Sequence, residues 1–343
     1  MFKNYTKDGD PYIIAEVGQN HQGDLELARE YIKVFAYEGA DAIKFQTRDN
    51  KYLFSEESYN APYESENAFS NNYGEHRELL ELKPEWLEIL KKDCEEHNVH
   101  FMSTPFDEPS LEILNKLDID LLKIASFDLG NLPLINRIAK TKIPVVMSIG
   151  GGLIDQIRSS VEVLLSHHDQ IAILHCVSEY PCEYNKLGLS NIKNLLSEFP
   201  QCTIGSSDHF NGTLSGPVAY LKGARVFEKH VTLNRSWKGT DHSFALEREG
   251  FRKFVRDIHR VRHMLPPKSS KGLGQEFVFQ KLGKSVVAFE DLNAGASLSL
   301  DNLSGRIFKP GIIPVRETNK LIGKKLNKKI LKGSPISYED LES

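Results

Sequence analysis

Eight short apolar runs, each followed by a longer amphipathic stretch, limit what this chain can fold into. The runs are YIIAEV (12–17), DAIKFQ (41–46), VHFMST (99–104), DLLKIA (120–125), IPVVMS (143–148), IAILHC (171–176), CTIGSS (202–207) and VFEKHV (226–231). Short apolar runs bounded by turn residues read as buried strands, and near-continuous apolar character is the mark of strands covered on both faces. The stretches between them read as helices. LELAREYIKVFAYEG ends on Gly39, just past a helix C-terminus, and KPEWLEILKKDCEEHN carries Pro84 in its first turn, where the missing N–H costs little. Eight strands alternating with helices predict an α/β fold, a closed parallel (β/α)8 barrel, although the last two runs are weak on strand propensity.

Two segments fall outside the repeat. Residues 47–83 are too long for a simple connection. Five tyrosines and phenylalanines lie before residue 70, a composition that favours an ordered cover over disorder. After the last helix, PPKSSKGLGQ reads as a linker. The expected division is a barrel over 1–265, a linker over 266–279, and a small β-rich domain over 280–343. Within that tail, KSVVAFEDL, SGRIFK and GSPIS are separated by turns such as NAGA and KPG.

Bulk properties remove several classes of function. With 343 residues, 40% of them hydrophobic, there is ample material for a large core. A net charge of −4 and a pI near 6.3 argue against nucleic-acid binding. No apolar run approaches the roughly 20 residues of a membrane helix. The first residues lack a signal layout, and four cysteines stand at unpatterned spacings, so a cytoplasmic protein with reduced thiols is expected.

In a parallel barrel, functional side chains gather at the C-terminal ends of the strands. Polar residues here fall at those ends: Glu16; Lys44 and Gln46; Ser103 and Thr104; Lys123, then Ser126 and Asp128; Ser148; Ser178 and Tyr180 after Cys176; Ser207, Asp208 and His209; Glu228 to His230. A single serine or threonine there is usually a turn or cap. A lysine inside an apolar strand needs an anion, so Lys44 and Lys123 point to an anionic ligand, a phosphate plus a carboxylate. His209 and His230 end adjacent strands and are expected to hold a divalent metal with open positions, with Asp208 orienting an imidazole. Such a metal acts as a Lewis acid on a carbonyl, and Glu16 moves a proton or orients water. Carbon–carbon condensation, metal-assisted aldol chemistry and hydrolysis all fit these residues.

Several phrases occur in order: IIAEVGQNHQGD, IKFQT, FMSTPFD, LLKIAS, LHCVSEYP, GSSDH, EKHVT and GTDHSFALE. Together they resemble the sialic acid synthase family, whose members condense phosphoenolpyruvate with an N-acetylated hexosamine. The resemblance covers almost the whole chain and includes an antifreeze-like tail domain. It implies Mn2+ or Mg2+ on His209 and His230, and phosphoenolpyruvate on Lys44, Thr104, Lys123, Ser126, Ser148 and Ser207. It places Glu16 on the attacking water and Gln46, Tyr180 and Asp241 on the sugar. A homodimer is implied too, each tail covering the partner's barrel.

Three departures concern the sugar half. Asp128 stands where the family has a glutamate catalytic residue, Ser178 follows Val177 where an asparagine is common, and Lys309 replaces the tail arginine that meets the N-acetyl group. An acceptor other than N-acetylmannosamine is therefore expected, such as a 2,4-diacetamido hexose or a sugar without an acetamide. No arginine-rich cluster is seen at a strand end, which argues against the phosphorylated acceptors of other phosphoenolpyruvate aldolases.

Overall fold

The computed structural model describes Phe2 and residues 9–272, 274–308 and 311–342. Lys309 lies outside the described residues. By internal contacts the chain divides into two compact units, Met1–Leu265 and Pro266–Ser343.

In the first unit eight parallel strands close into a barrel in sequence order. They are β1 (Tyr12–Gly18), β2 (Ala42–Thr47), β3 (His100–Pro105), β4 (Leu121–Ile124), β5 (Val145–Ser148), β6 (Ile171–Cys176), β7 (Thr203–Asp208) and β8 (Val226–His230). All eight expected strands form, within two residues of their expected bounds. The weak propensity of β7 and β8 is overridden because each is hydrogen-bonded on both sides, β8 closing on β1. Eight helices cover the strands: α1 (Leu25–Tyr37), α2 (Pro84–Glu96), α3 (Glu108–Lys116), α4 (Leu132–Thr141), α5 (Ile154–Leu165), α6 (Asn191–Glu198), α7 (Ser215–Lys222) and α8 (Arg248–Met264). Starts are marked by caps: the Asp24 and Asp107 carboxylates accept from Leu27 N and Ser110 N, each at 2.8 Å.

Side chains alternate across each strand, and the two faces bury different things. Ile13, Ala15, Ile43, Phe45, Leu122, Ile173 and Phe227 face the helices in the main core. Tyr12, Ile14, Ala42, Met102, Leu121, Val146, Ala172, Leu174 and Val226 fill the barrel interior, where Phe2 packs edge-on against Tyr12. Continuing each inward series by two residues reaches Glu16, Lys44, Thr104, Lys123, Ser148, Cys176 and Glu228. The interior is thus apolar at the N-terminal end of the strands and polar at the other. This puts the buried charges at the mouth.

The 47–83 connection is built from three short helices, Asn50–Leu53, Glu56–Tyr59 and Tyr73–Glu78, and a bridge between Pro62 and Asn72. Its aromatics pack on one another: Tyr63 meets Tyr73 at 5.1 Å and His76 at 4.6 Å between ring centroids. The second unit has a helix (Phe277–Leu282) that straddles the expected boundary between linker and tail domain. Two antiparallel strands follow, β9 (Ser285–Ala288) and β10 (Leu303–Arg306). Val286, Leu298, Leu321, Leu326 and Ile336 form its own core.

Candidate active site

The strand register sets four charges side by side at the barrel mouth. Glu16 is level with Lys44 on β2 and with His230 on β8, and Glu228 is level with Ser207 on β7. Lys44 Nζ lies 2.7 Å from Glu16 Oε2 and 3.6 Å from Glu228 Oε2, and Lys123 Nζ lies 3.7 Å from the same Glu228 oxygen. Two lysines and two glutamates, all buried, form a neutral set. They are poorly hydrogen-bonded: Glu16 Oε2 and Glu228 Oε2 have no well-aligned donor, so the lysine contacts are Coulombic. Ser207 Oγ donates to Glu228 Oε1 at 2.9 Å, and the Gln46 amide donates to Glu16 Oε1 at 2.8 Å. Burial raises the Glu16 carboxyl despite Lys44. Glu228 is buried as well, but the two ammoniums outweigh that and hold it well below the usual carboxylate range. Burial lowers Lys123.

Above this set stand the two imidazoles, with ring centroids 5.3 Å apart. His209 Nδ1 is 2.7 Å from the Val177 carbonyl. A carbonyl only accepts, so Nδ1 carries the proton and Nε2 keeps its lone pair. Burial, then His230, pushes His209 down to about 4, and burial lowers His230. Both rings are therefore neutral at pH 7. His230 Nδ1 is buried without a hydrogen bond, 3.6 Å from Asp241 Oδ2. Neutral imidazoles, one with its tautomer fixed and one with an orphaned nitrogen, suit a divalent metal that takes its other ligands from water and substrate. Among the described residues no group of three or more His, Cys, Asp or Glu gathers as a ready-made metal cluster.

Lysines, glutamates and imidazoles open into one cavity of about 880 Å³. Residues 31–270 match the NeuB family. The chain belongs to the NeuB family. It is an enzyme of the sialic acid synthase group that its motifs resemble. N-acetylneuraminate-9-phosphate synthase of Mus musculus is 33% identical over 97% of this chain and 93% of its own length. The N,N'-diacetyllegionaminic acid synthase of Legionella pneumophila is 32% identical over 97% and 95%. Among solved structures, N-acetylneuraminic acid synthetase of Leptospira borgpetersenii, in complex with citrate, superposes with a TM-score of 0.69. It is 31% identical over 77% of this chain and 90% of that one.

Most of the residues singled out by the NeuB motifs line this cavity. Glu16, Lys44, Gln46, Thr104, Lys123, Ser126 and Ser148 come from the first five strands and their following turns, and Ser178, Tyr180, Ser207, His209, His230 and Asp241 from the rest. Ser148 Oγ is buried there without a partner. Gly150 holds the β5 turn close: a Cβ on it would stand 2.3 Å from Ser178 Oγ and 3.0 Å from Ser126 Oγ. Gly18 does the same on β1. At φ +57° it bulges the strand, and a Cβ would lie 3.2 Å from the Gln46 amide.

Two expected residues sit elsewhere. Asp128 closes the 3-10 turn Ser126–Asp128 and does not line the cavity; its carboxylate accepts from Asn131 Nδ2 at 3.1 Å. Asp208 does not orient an imidazole. It lies on the outward face of β7, 2.6 Å from Lys229 Nζ, and the Val177 carbonyl does that work. Conversely, Glu228, Arg48 and Arg77 line the cavity without having been assigned a part. Glu228 was legible from period two, two residues before His230 on one strand. Arg48 follows β2 directly and Arg77 lies on the connection, so the absence of a cationic cluster near the strand ends is corrected.

Proposed function

We propose that the enzyme condenses phosphoenolpyruvate with an N-acetylmannosamine-like aldose to give a 2-keto-3-deoxy nonulosonate and phosphate. The observation that carries this reading is the buried Glu16–Lys44–Glu228–Lys123 set beneath two neutral imidazoles. It provides an anion floor, a carboxylate with a raised pKa, and a place for a cation within one cavity. The names of the relatives agree with it.

Lys44 and Lys123 hold the phosphate and carboxylate of phosphoenolpyruvate, with Thr104, Ser126 and Ser148 donating to the remaining oxygens and Ser207, which donates to Glu228, lining the same floor. Mn2+ or Mg2+ held by His209 and His230 supplies Lewis-acid polarisation of the sugar aldehyde. Carbon 3 of phosphoenolpyruvate attacks the aldehyde carbon, which makes the new C–C bond. Water then adds at carbon 2, and Glu16, kept in place by Gln46, takes its proton. Collapse of the carbon 2 adduct expels phosphate by C–O cleavage and leaves the keto acid. Tyr180, its ring tilted against His209 at 3.9 Å between centroids, and Asp241 flank the acceptor.

The test is phosphate release from phosphoenolpyruvate with a panel of aldoses that includes N-acetylmannosamine and a 2,4-diacetamido hexose. We expect turnover with an acetamido hexose, loss on chelation, return with Mn2+ or Mg2+, and a fall of roughly 10²–10⁴-fold in Glu16→Ala. Full turnover by both the metal-stripped enzyme and Glu16→Ala would sink the mechanism.

A further inference from the structure

We propose that Asp208 and Lys229 are positioning residues. They form an ion pair, buried on the helix side of the barrel, that sets the spacing of His209 and His230 on the cavity side and with it the affinity for a divalent cation. This rests on the metal-holding part given to the two histidines above, which it deepens by naming what keeps them in register.

The starting observation is a pair of charges where the fold itself calls for apolar side chains. Asp208 and Lys229 continue the outward series of β7 and β8, whose earlier members Ile204 and Phe227 belong to the main core. Their side chains are 4% and 1% exposed, and Lys229 Nζ lies 2.6 Å from Asp208 Oδ2. Neither residue lines the catalytic cavity. A buried ion pair is a poor stabiliser: apolar side chains of like volume often serve as well or better, whereas paired charges can fix one register. Stability alone therefore does not account for this pair.

Its hydrogen bonds grip the chain on both sides of His209. Lys229 Nζ donates to the Asp208 carboxylate and to the Phe210 carbonyl. Asp208 Oδ1 accepts from Phe210 N at 2.9 Å, and Oδ2 accepts from Ser215 Oγ at the start of α7. One ammonium on β8 thus holds the residue before His209 and the residue after it. The grip begins where the backbone ladder stops. Asp208 and Lys229 are the last pair of the β7–β8 register, so that ladder does not extend to His209.

The other contacts of the two histidines tie each to a different neighbour. The His209 ring is bonded to the Val177 carbonyl beyond β6, and the His209 carbonyl accepts from Cys182 N at 3.1 Å. His230 is level with Glu16 on β1, and Val231 N donates to the Glu16 carbonyl at 2.9 Å. Among the described residues two side-chain links join the end of β7 to β8: Ser207 to Glu228 on the cavity floor, and Lys229. Only Lys229 reaches the segment past the ladder. Adjacent residues on a strand face opposite ways, so a clamp on Asp208 and Lys229 places His209 and His230 without touching either ring. Two imidazoles are a sparse ligand set, and an ion shared between them needs both within about 0.5 Å of the right spacing at once.

The experiment is a Mn2+ titration of the full-length protein without substrates, with free Mn2+ read by electron paramagnetic resonance. The variant is the double substitution Asp208→Asn, Lys229→Met. It removes both charges together, keeps an oxygen to accept from Phe210 N, and fills the volume of the lysine stem, so it is expected to fold; a thermal melt checks this. Its dissociation constant for Mn2+ is expected to rise about 10-fold or more, as for other groups that orient metal ligands. Co2+ bound in place of Mn2+ is expected to show shifted visible bands, a signature that a purely structural role would not move. A folded double variant with the wild-type dissociation constant overturns the proposal, whatever its melting temperature. Weaker binding with an unchanged Co2+ spectrum overturns it too, because the spacing has then not changed. If the double variant does not fold, Ser215→Ala decides. It removes one donor to Asp208, away from the cavity, and is expected to raise the same constant about 3-fold; no rise overturns the proposal. The metal reading fails separately, and takes this proposal with it, if the wild type binds no Mn2+ or if His209→Ala binds it equally well.

Discussion

Glu228 is the residue whose role the structure adds most to. It is the only carboxylate shared by the two floor lysines among the described residues, and it holds them together at 3.6 and 3.7 Å. Glu228→Gln leaves Glu16 alone against two buried ammoniums. Removing one member of a buried ion pair costs about 3–5 kcal/mol, chiefly as the price of the charge left behind. The variant should therefore melt well below the wild type, and phosphoenolpyruvate should recover more of its melting temperature than it adds to the wild type's. Thermal melts with and without phosphoenolpyruvate check this. A variant that melts at the wild-type temperature and ignores the ligand would remove Glu228 from the floor set. In the sequence Glu228 stood at a strand end beside His230 with no part assigned to it. The register shows Lys229 turned outward to Asp208 and Glu228 inward.

At the scale of elements, the strands were readable because each is a short apolar run between turns. The turns after them were not, since their side chains are aimed by backbone conformation. Asp128 and Ser126 share one 3-10 turn, yet only Ser126 reaches the cavity, its Oγ accepting from Gly150 N at 3.0 Å. That hydrogen bond makes the β5 turn a testable element. A methyl group at Gly150 would strike Ser178 Oγ and crowd Ser126 Oγ, short side chains with little room to yield. Gly150→Ala should raise KM for phosphoenolpyruvate roughly 10-fold or more, the effect of losing one or two charge-assisted contacts. Stability should change less than KM, because the added methyl group meets cavity side chains, Ser178, Ser126 and Cys176, rather than the apolar core. Steady-state kinetics beside a urea melt separates the two effects. An unchanged KM would mean that this turn does not carry the substrate. The 47–83 connection was legible as a cover from its aromatics, but nothing in their spacing foretold that Arg48 and Arg77 would meet over Glu81. That meeting depends on Gln19, from the loop after β1.

For the whole molecule, a barrel that buries polar groups at its mouth also buries groups that titrate, and this sets its tolerance of acid. His21, in the loop after β1, is 1% exposed and packs on Phe45. Its Nδ1 accepts from Gly23 N at 3.1 Å, so the folded protein holds the ring neutral. Burial pushes its pKa from the ordinary 6.5 to about 3. An unfolded chain protonates His21 near 6.5 and the folded one does not until about 3, so the unfolded state binds the extra proton between those values. The contribution of His21 to stability is whole above pH 6.5. It is lost as pH falls, at up to about 1.4 kcal/mol per pH unit, and levels off near pH 3. His21→Asn removes the titrating group. Urea midpoints measured from pH 7.5 down to pH 4.5 should fall more steeply for the wild type than for His21→Asn, whatever the variant's starting stability. Parallel curves would show that His21 is protonated in the fold. The buried neutral state of this ring, and the acid sensitivity argued from it, would then both be wrong.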